Sequence, residues 1–77
     1  MRITVEMHGE LQRFGPAGGR PARLEVAPGA TVRDVLVRLG MDLDEPWNAA
    51  LDGRLAAADD EVRDGSRLIV FAPIAGG

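Results

Sequence analysis

Residues 64–77 read Asp64-Gly-Ser-Arg-Leu-Ile-Val-Phe-Ala-Pro-Ile-Ala-Gly-Gly77, and the division of this stretch decides how the rest of the chain is arranged. Asp64-Gly65 is a turn signal. Leu68 to Ala72 is an unbroken apolar run, read as a buried strand that opens near Arg67. Pro73 carries no backbone donor and ends the ladder. Ile74, Ala75, Gly76 and Gly77 follow, with nothing charged among them. The expectation is a flexible tail over about residues 73–77. The six residues beyond Phe71 can reach roughly 20 Å when stretched. Within the strand, side chains alternate between faces. Leu68, Val70 and Ala72 share one side, and Ile69 and Phe71 the other.

Working outward, the best-marked partner for this strand is the segment from Thr31 to Leu39. Val32, Val35, Leu36 and Leu39 fall at i, i+3, i+4 and i+7, one apolar helical stripe. Thr31 is an N-cap, with Asp34 three residues on as in a capping box. Gly40 stands where a helix-ending glycine belongs, and Asp34 with Arg38 forms an i, i+4 pair. At the other end of the chain, Ile3, Val5 and Met7 alternate with polar residues from Arg2 to His8, a half-buried strand. His8 lies on its polar side and reads as a surface residue. Leu24 and Val26 mark a second strand within Ala22 to Ala27, a hairpin partner of the first. Between them, Gly9 to Pro21 is a turn-rich connection. Leu11 and Phe14 share one face of a helical turn there, and Gly15 to Arg20 is expected to pack on little.

The remaining segments are shorter. Met41 to Pro46 is an acidic connector, read as a solvated loop because the spacing of a calcium-binding loop is missing. Trp47 to Leu51 and Arg54 to Ala56 form short strands around an Asp52-Gly53 hairpin turn. Ala57 to Val62 fits no period, and its Asp59-Asp60-Glu61 run reads as surface charge. A single helix must cover one face of the sheet, with the first strand parallel to the last. The expected class is α+β: a β-grasp whose mixed sheet carries one main helix on one face, with residues 1–77 as one domain.

Composition narrows the functions. Seventy-seven residues with no Cys and a single His leave no thiol nucleophile, persulfide or zinc site. The net charge of −3 argues against nucleic acid as a partner. No run approaches membrane-span length and no signal peptide is visible, so a cytoplasmic protein without membrane contact is expected. All nine basic residues are Arg, so the chain cannot acylate itself on lysine. The glycines of residues 15–19 do not follow a strand, and no Gly-Lys-Ser/Thr follows them, so no nucleotide site is read there.

Taken together, the leading hairpin, Thr31-Val-x-Asp-Val-Leu36, Asp52-Gly53 and Val62-x-Asp-Gly-Ser-x-Leu-Ile-Val-Phe-x-Pro-x-Ala-Gly-Gly77 resemble the ubiquitin-like sulfur carriers. These are the small subunit of molybdopterin synthase (MoaD) and the thiamine-biosynthesis carrier (ThiS). The resemblance spans almost the whole chain and is most specific from Asp64 to Gly77; the Leu11 to Gly15 segment favours the molybdopterin branch. It implies that Gly77 supplies a carboxylate adenylated by an E1-like adenylating enzyme, which uses ATP. A persulfide or rhodanese-type donor then converts it to a thiocarboxylate. That species passes sulfur to an acceptor such as the large subunit of molybdopterin synthase or thiazole synthase. Gly76 would let the backbone thread a narrow channel. By this reading the chain is a carrier and cosubstrate, not an enzyme, and binds no cofactor or metal itself. Partner contacts are expected at Ile69, Phe71, Pro73, Ile74 and Ala75. Two other readings stay open: a modifier joined to lysines of other proteins, and a β-grasp interaction module. The last strand adds one expectation. Leu68 and Val70 are expected to pack under the helix, leaving Ile69 and Phe71 on the uncovered face unless side chains of the Trp47 to Ala56 hairpin cover them; the opposite assignment stays open, and either way one set is left without the helix.

Overall fold

Five strands form one mixed sheet in the order β2-β1-β5-β3-β4, with one helix against it. In the computed structural model, residues 1–73 are described. The strands are β1 (Arg2–Met7), β2 (Ala22–Glu25), β3 (Asn48–Leu51), β4 (Arg54–Ala56) and β5 (Arg67–Phe71); the helix α1 is Val32–Arg38. The first and last strands are parallel neighbours, with Val5 opposite Leu68 and Met7 opposite Val70. β2 and β3 are antiparallel to β1 and β5 respectively. This is the expected ubiquitin-like β-grasp, with the last strand at the centre of the sheet.

The alternation of apolar residues fixes which face meets the helix. Ile3, Val5, Met7, Ala49, Leu68 and Val70 are all buried in one cluster with Val32, Val35 and Leu36. Burying side chains of this size contributes about 1.5–3 kcal/mol each, which a domain without a covalent staple requires. Leu11, on the 3-10 turn Gly9–Phe14, is buried in the same cluster, and Phe14 packs against its edge.

α1 is short, and its ends are fully provided for. Thr31 Oγ1 accepts from the Asp34 N–H while the Asp34 carboxylate accepts from the Thr31 N–H, a complete capping box. The next two orphan donors are met by the irregular loop that fits no period. Val32 N–H donates to the Asp60 carbonyl and Arg33 N–H to that of Ala58, both at 2.9 Å. At the other end, Gly40 has φ +85°. Its N–H reaches the Val37 carbonyl, and the Met41 N–H reaches that of Leu36. That is a Schellman motif, closed by burial of Met41.

Two local expectations are corrected. Arg38 does not pair with Asp34; it donates to the Glu25 carbonyl on the outer edge of β2, and the Asp34 carboxylate is taken by the cap. The Gly15–Arg20 connection is not loosely attached. Turn bonds link Gly15 to Gln12, Gly18 to Gly15 and Arg20 to Ala17. A Cβ at Gly15 would meet the Gly18 carbonyl oxygen at 2.2 Å and Met7 Cγ at 3.1 Å. The loop closes onto the end of β1.

Candidate functional site

The two ends of β5 are built from different chemistry. Its start is locked by polar groups. Asp52 and Gly53 have φ +51° and +86°, the two positive values that a type I′ hairpin turn requires. The Asp52 carboxylate accepts from the Arg67 N–H at 2.8 Å and from the Ser66 hydroxyl at 3.1 Å. The Arg2 N–H donates to Asp64, and the Gly65 N–H to the Arg2 carbonyl. The two Asp-Gly turns thereby tie β1, β3 and β5 together at one pole. An open groove of about 660 Å³, lined by Asp52, Arg54, Asp60, Glu61 and Arg63 among others, lies at this pole and is remote from the end of β5.

The far end of β5 is apolar and leads out of the fold. Val70 is buried, and its carbonyl accepts from the His8 N–H at 2.9 Å. Phe71 sits opposite Asn48 as the last residue of the strand. Ala72 is half-buried and Pro73 exposed. The 3-10 turn after β1 and the acidic connector before β3 flank this exit. Arg13 joins them: it lies over the Phe14 ring, donates to the Glu10 carbonyl and pairs with Glu45. Asp42 accepts from the Asp44 N–H, so two of the three connector carboxylates are occupied locally.

Ile69 and Phe71 are half-buried and stand outside the core cluster, on the face without the helix. The β3–β4 hairpin lies beside β5 in the plane of the sheet, so it flanks these two residues. Register places Glu6, Ile69, Ala50 and Leu55 in one row across β1, β5, β3 and β4. Leu55 is 79% exposed, and it was not singled out from the sequence. The signal was its position opposite Ala50, one residue past the flank of the hairpin turn. The other half of this face is charged. Glu6 is only 13% exposed and is held between His8 and Arg67, the latter at 3.1 Å. The hydrogen bond from His8, then that from Arg67, holds the Glu6 carboxyl below its usual range. An ionised Glu6 can only accept, so His8 Nε2 carries the proton between them. His8 is thus at the surface as expected, and it orients a carboxylate beside the apolar row.

Of the expected site residues, Ile69 at the middle of β5 and Phe71 at its end share the open face, and Pro73 follows the strand, exposed. Ile74, Ala75, Gly76 and Gly77 lie outside the described residues. Among the described residues, no cluster of His, Asp and Glu could hold a metal ion, and no helix is long and apolar enough to cross a membrane.

The sequence profile of the ThiS family matches residues 9–77, from the 3-10 turn to the last glycine. The chain belongs to the ThiS family. No curated protein sequence matches it. Among solved structures, SAMP1 from Haloferax volcanii superposes with a TM-score of 0.76 at 26% identity, covering all of both chains. A Pyrococcus furiosus protein assigned as molybdopterin converting factor subunit 1 gives 0.76 at 23% identity, covering 96% of this chain and 99% of that one. A chain from the complex of subunits 1 and 2 of the Helicobacter pylori molybdopterin-converting factor gives 0.64 at 17%, covering both chains fully. The last two likenesses show the shared fold. The ThiS-family membership supports the expected kinship with ubiquitin-like sulfur carriers.

Proposed function

We propose that this ThiS-family chain is a sulfur carrier whose reactive group is the Gly77 carboxylate. The observation that carries the reading is the family match running through Gly76-Gly77, in a chain whose central strand ends at Phe71. A carboxylate is a poor electrophile. Adenylation by an E1-like enzyme with ATP releases pyrophosphate and installs AMP as a leaving group; the outer sulfur of a persulfide donor displaces AMP to form an acyl disulfide, and a second thiol on the partner side cleaves its S–S bond, leaving the thiocarboxylate on the chain and a disulfide between the two partner sulfurs. Attack passes through a crowded tetrahedral centre, and Gly77, without a Cβ, adds no hindrance there. Residues 72–77 carry no ionisable side chain, so the activating enzyme supplies the charge stabilisation. The carrier is consumed and regenerated as a cosubstrate.

Phe71 and Ile69 are the proposed grip for the partners, with Pro73, Ile74 and Ala75 leading into the partner's channel. Half-buried apolar side chains beside a reactive terminus fit a binding patch. The favoured acceptor is the large subunit of molybdopterin synthase, in keeping with the likeness to one chain of the H. pylori two-subunit complex; thiazole synthase is next. The decisive experiment is intact-mass analysis of the protein from its host and after incubation with its activating enzyme, ATP and a persulfide donor. Replacement of one oxygen by sulfur at Gly77 is expected, with loss of activation on deleting Gly77 or adding one residue after it. Undiminished ATP–pyrophosphate exchange by the truncated chain would overturn the assignment. A second reading, covalent attachment to lysines of other proteins, is favoured by the likeness to the H. volcanii small archaeal modifier protein 1. A protein adduct that disappears with Gly77 would establish it.

A further inference from the structure

We propose that two copies of this chain pair edge to edge along β4, with a two-fold axis between their Leu55 residues, to give a weak and reversible dimer. The contact lies on a sheet edge and does not rest on the chemistry at Gly77. Asp52 N–H donates to the Arg67 carbonyl at 2.9 Å, so Asp52 and Ala50 aim their main-chain groups at β5. Ala49 and Leu51 aim theirs at β4, where register sets them opposite Ala56 and Arg54. Leu55 lies between those two and turns its N–H and C=O away from the sheet.

The rest of the edge is closed. Ala57 N–H is held by the Asp60 carboxylate at 2.9 Å, and the Ala57 carbonyl accepts from Asp60 N–H at 3.1 Å. The opposite edge of the sheet is guarded as well. Met1 and Val26 exchange main-chain bonds, so Glu25 points outward, and the Arg38 guanidinium takes its carbonyl. Edge strands are commonly protected by charge or proline. Leu55 supplies neither, and its side chain is exposed on the open face.

Shape and charge select a second copy as the occupant. One free donor and one free acceptor on a single residue match the same residue of an antiparallel copy, so that each Leu55 donates to the other. Arg54 of one copy then stands opposite Ala56 of the other, next to the Asp60 carboxylate that holds Ala57. Arg54 makes no ion pair within its own chain among the described residues, and it lines one groove with Asp60 and Glu61. Pairing sets each Arg54 beside the carboxylates of the other copy, twice by symmetry. Both Leu55 side chains fall on the open face, so the row Ile69, Ala50, Leu55 continues into its counterpart. A contact that uses the same edge on both copies closes at two. β4 runs in the direction of β5, so the two β5 exits lie at opposite ends of the joined sheet, clear of each other. A three-residue strand from each copy covers far less than the roughly 800 Å² per partner of a standard interface, so the dimer dissociates on dilution.

Analytical ultracentrifugation of the intact chain tests the proposal. At about 1 mM, wild type should show a species of twice the 8.2 kDa chain mass that dissociates on dilution, and exchange of the Leu55 amide should slow as concentration rises. Leu55→Lys removes both leucines and sets like charges on the axis, so it should raise the dissociation constant at least about tenfold. Arg54→Glu should raise it as well, through the lost attraction to Asp60. Far-UV circular dichroism confirms that each variant is folded. A wild type that stays monomeric at that concentration, or a dimer that both substitutions leave intact, overturns the proposal. So does a monomeric wild type whose binding to the activating enzyme is weakened by Leu55→Lys, which assigns the edge to a different protein. Failure of adenylation at Gly77 counts against the sulfur-carrier reading and leaves this result standing.

Discussion

The two faces of β5 belong to one strand and answer to different demands. Leu68 and Val70 are fully buried between the flanking strands and α1, whereas Ile69 and Phe71, one residue out of step, remain half-buried on the face that no helix covers. Composition does not distinguish them, since all four are large and apolar. Position relative to α1 does. The helix-facing pair stabilises the fold, and the opposite pair is the proposed grip for partners. An apolar residue in the central strand of a small domain therefore need not be a core residue.

Substitutions on the two faces test this division. Leu68→Ala has the largest expected effect, a loss of roughly 2–5 kcal/mol. That is much of the total for a domain this small, and chemical denaturation would measure it. Phe71→Ala is expected to weaken binding to the activating enzyme and to the sulfur acceptor by at least about 1–2 kcal/mol with little change in Tm. Lost stability with unchanged partner affinity would make Phe71 a core residue and erase the contrast. Thr31→Ala removes half of the capping box on the helix side and should lower stability by about 1 kcal/mol, with partner affinity unchanged. The smallest effect belongs to Glu6 on the open face. Its folded pKa is lowered by His8 and then Arg67, so its stabilisation is full above the unfolded value of about 4.3. It is lost as pH falls through the lowered folded value. The Tm difference between wild type and Glu6→Gln should shrink on acidification through that range. A difference independent of pH would show that the His8 and Arg67 contacts do not act through charge.

Much of the fold was legible because local chemistry and periodicity agreed. The period-two pattern of β1, the 3.6-residue stripe from Val32 to Leu39, the Thr31 cap and the two Asp-Gly turns each pointed to one conformation. Alternation separated Leu68 and Val70 from Ile69 and Phe71, and the structure decides that the first pair faces the helix. The loop from Ala57 to Val62 was not legible, because it acts through the carbonyls of Ala58 and Asp60. Any residue offers a carbonyl, so no side-chain pattern reports it. Arg38 was misassigned for a related reason. Helical spacing offered Asp34, but the capping box had already occupied that carboxylate, and a sheet-edge carbonyl from a distant segment took the guanidinium. Gly15 looked like a loose-loop glycine, and the closeness of the Gly18 carbonyl emerges only when the turns stack. At the candidate site, Ile69, Phe71 and Pro73 followed from alternation and the proline stop. The row from Glu6 to Leu55 needs the register of four strands, which one sequence does not reveal.

The central position of β5 also has a mechanical meaning. A partner that pulls on the chain beyond Pro73 draws on a strand bonded to β1 on one side and β3 on the other. The load runs along the strand, so both ladders resist in shear at once instead of opening one rung at a time. The polar lock around Asp52 and Ser66 anchors the opposite end. The body can bear a pull from beyond Pro73 and stay folded.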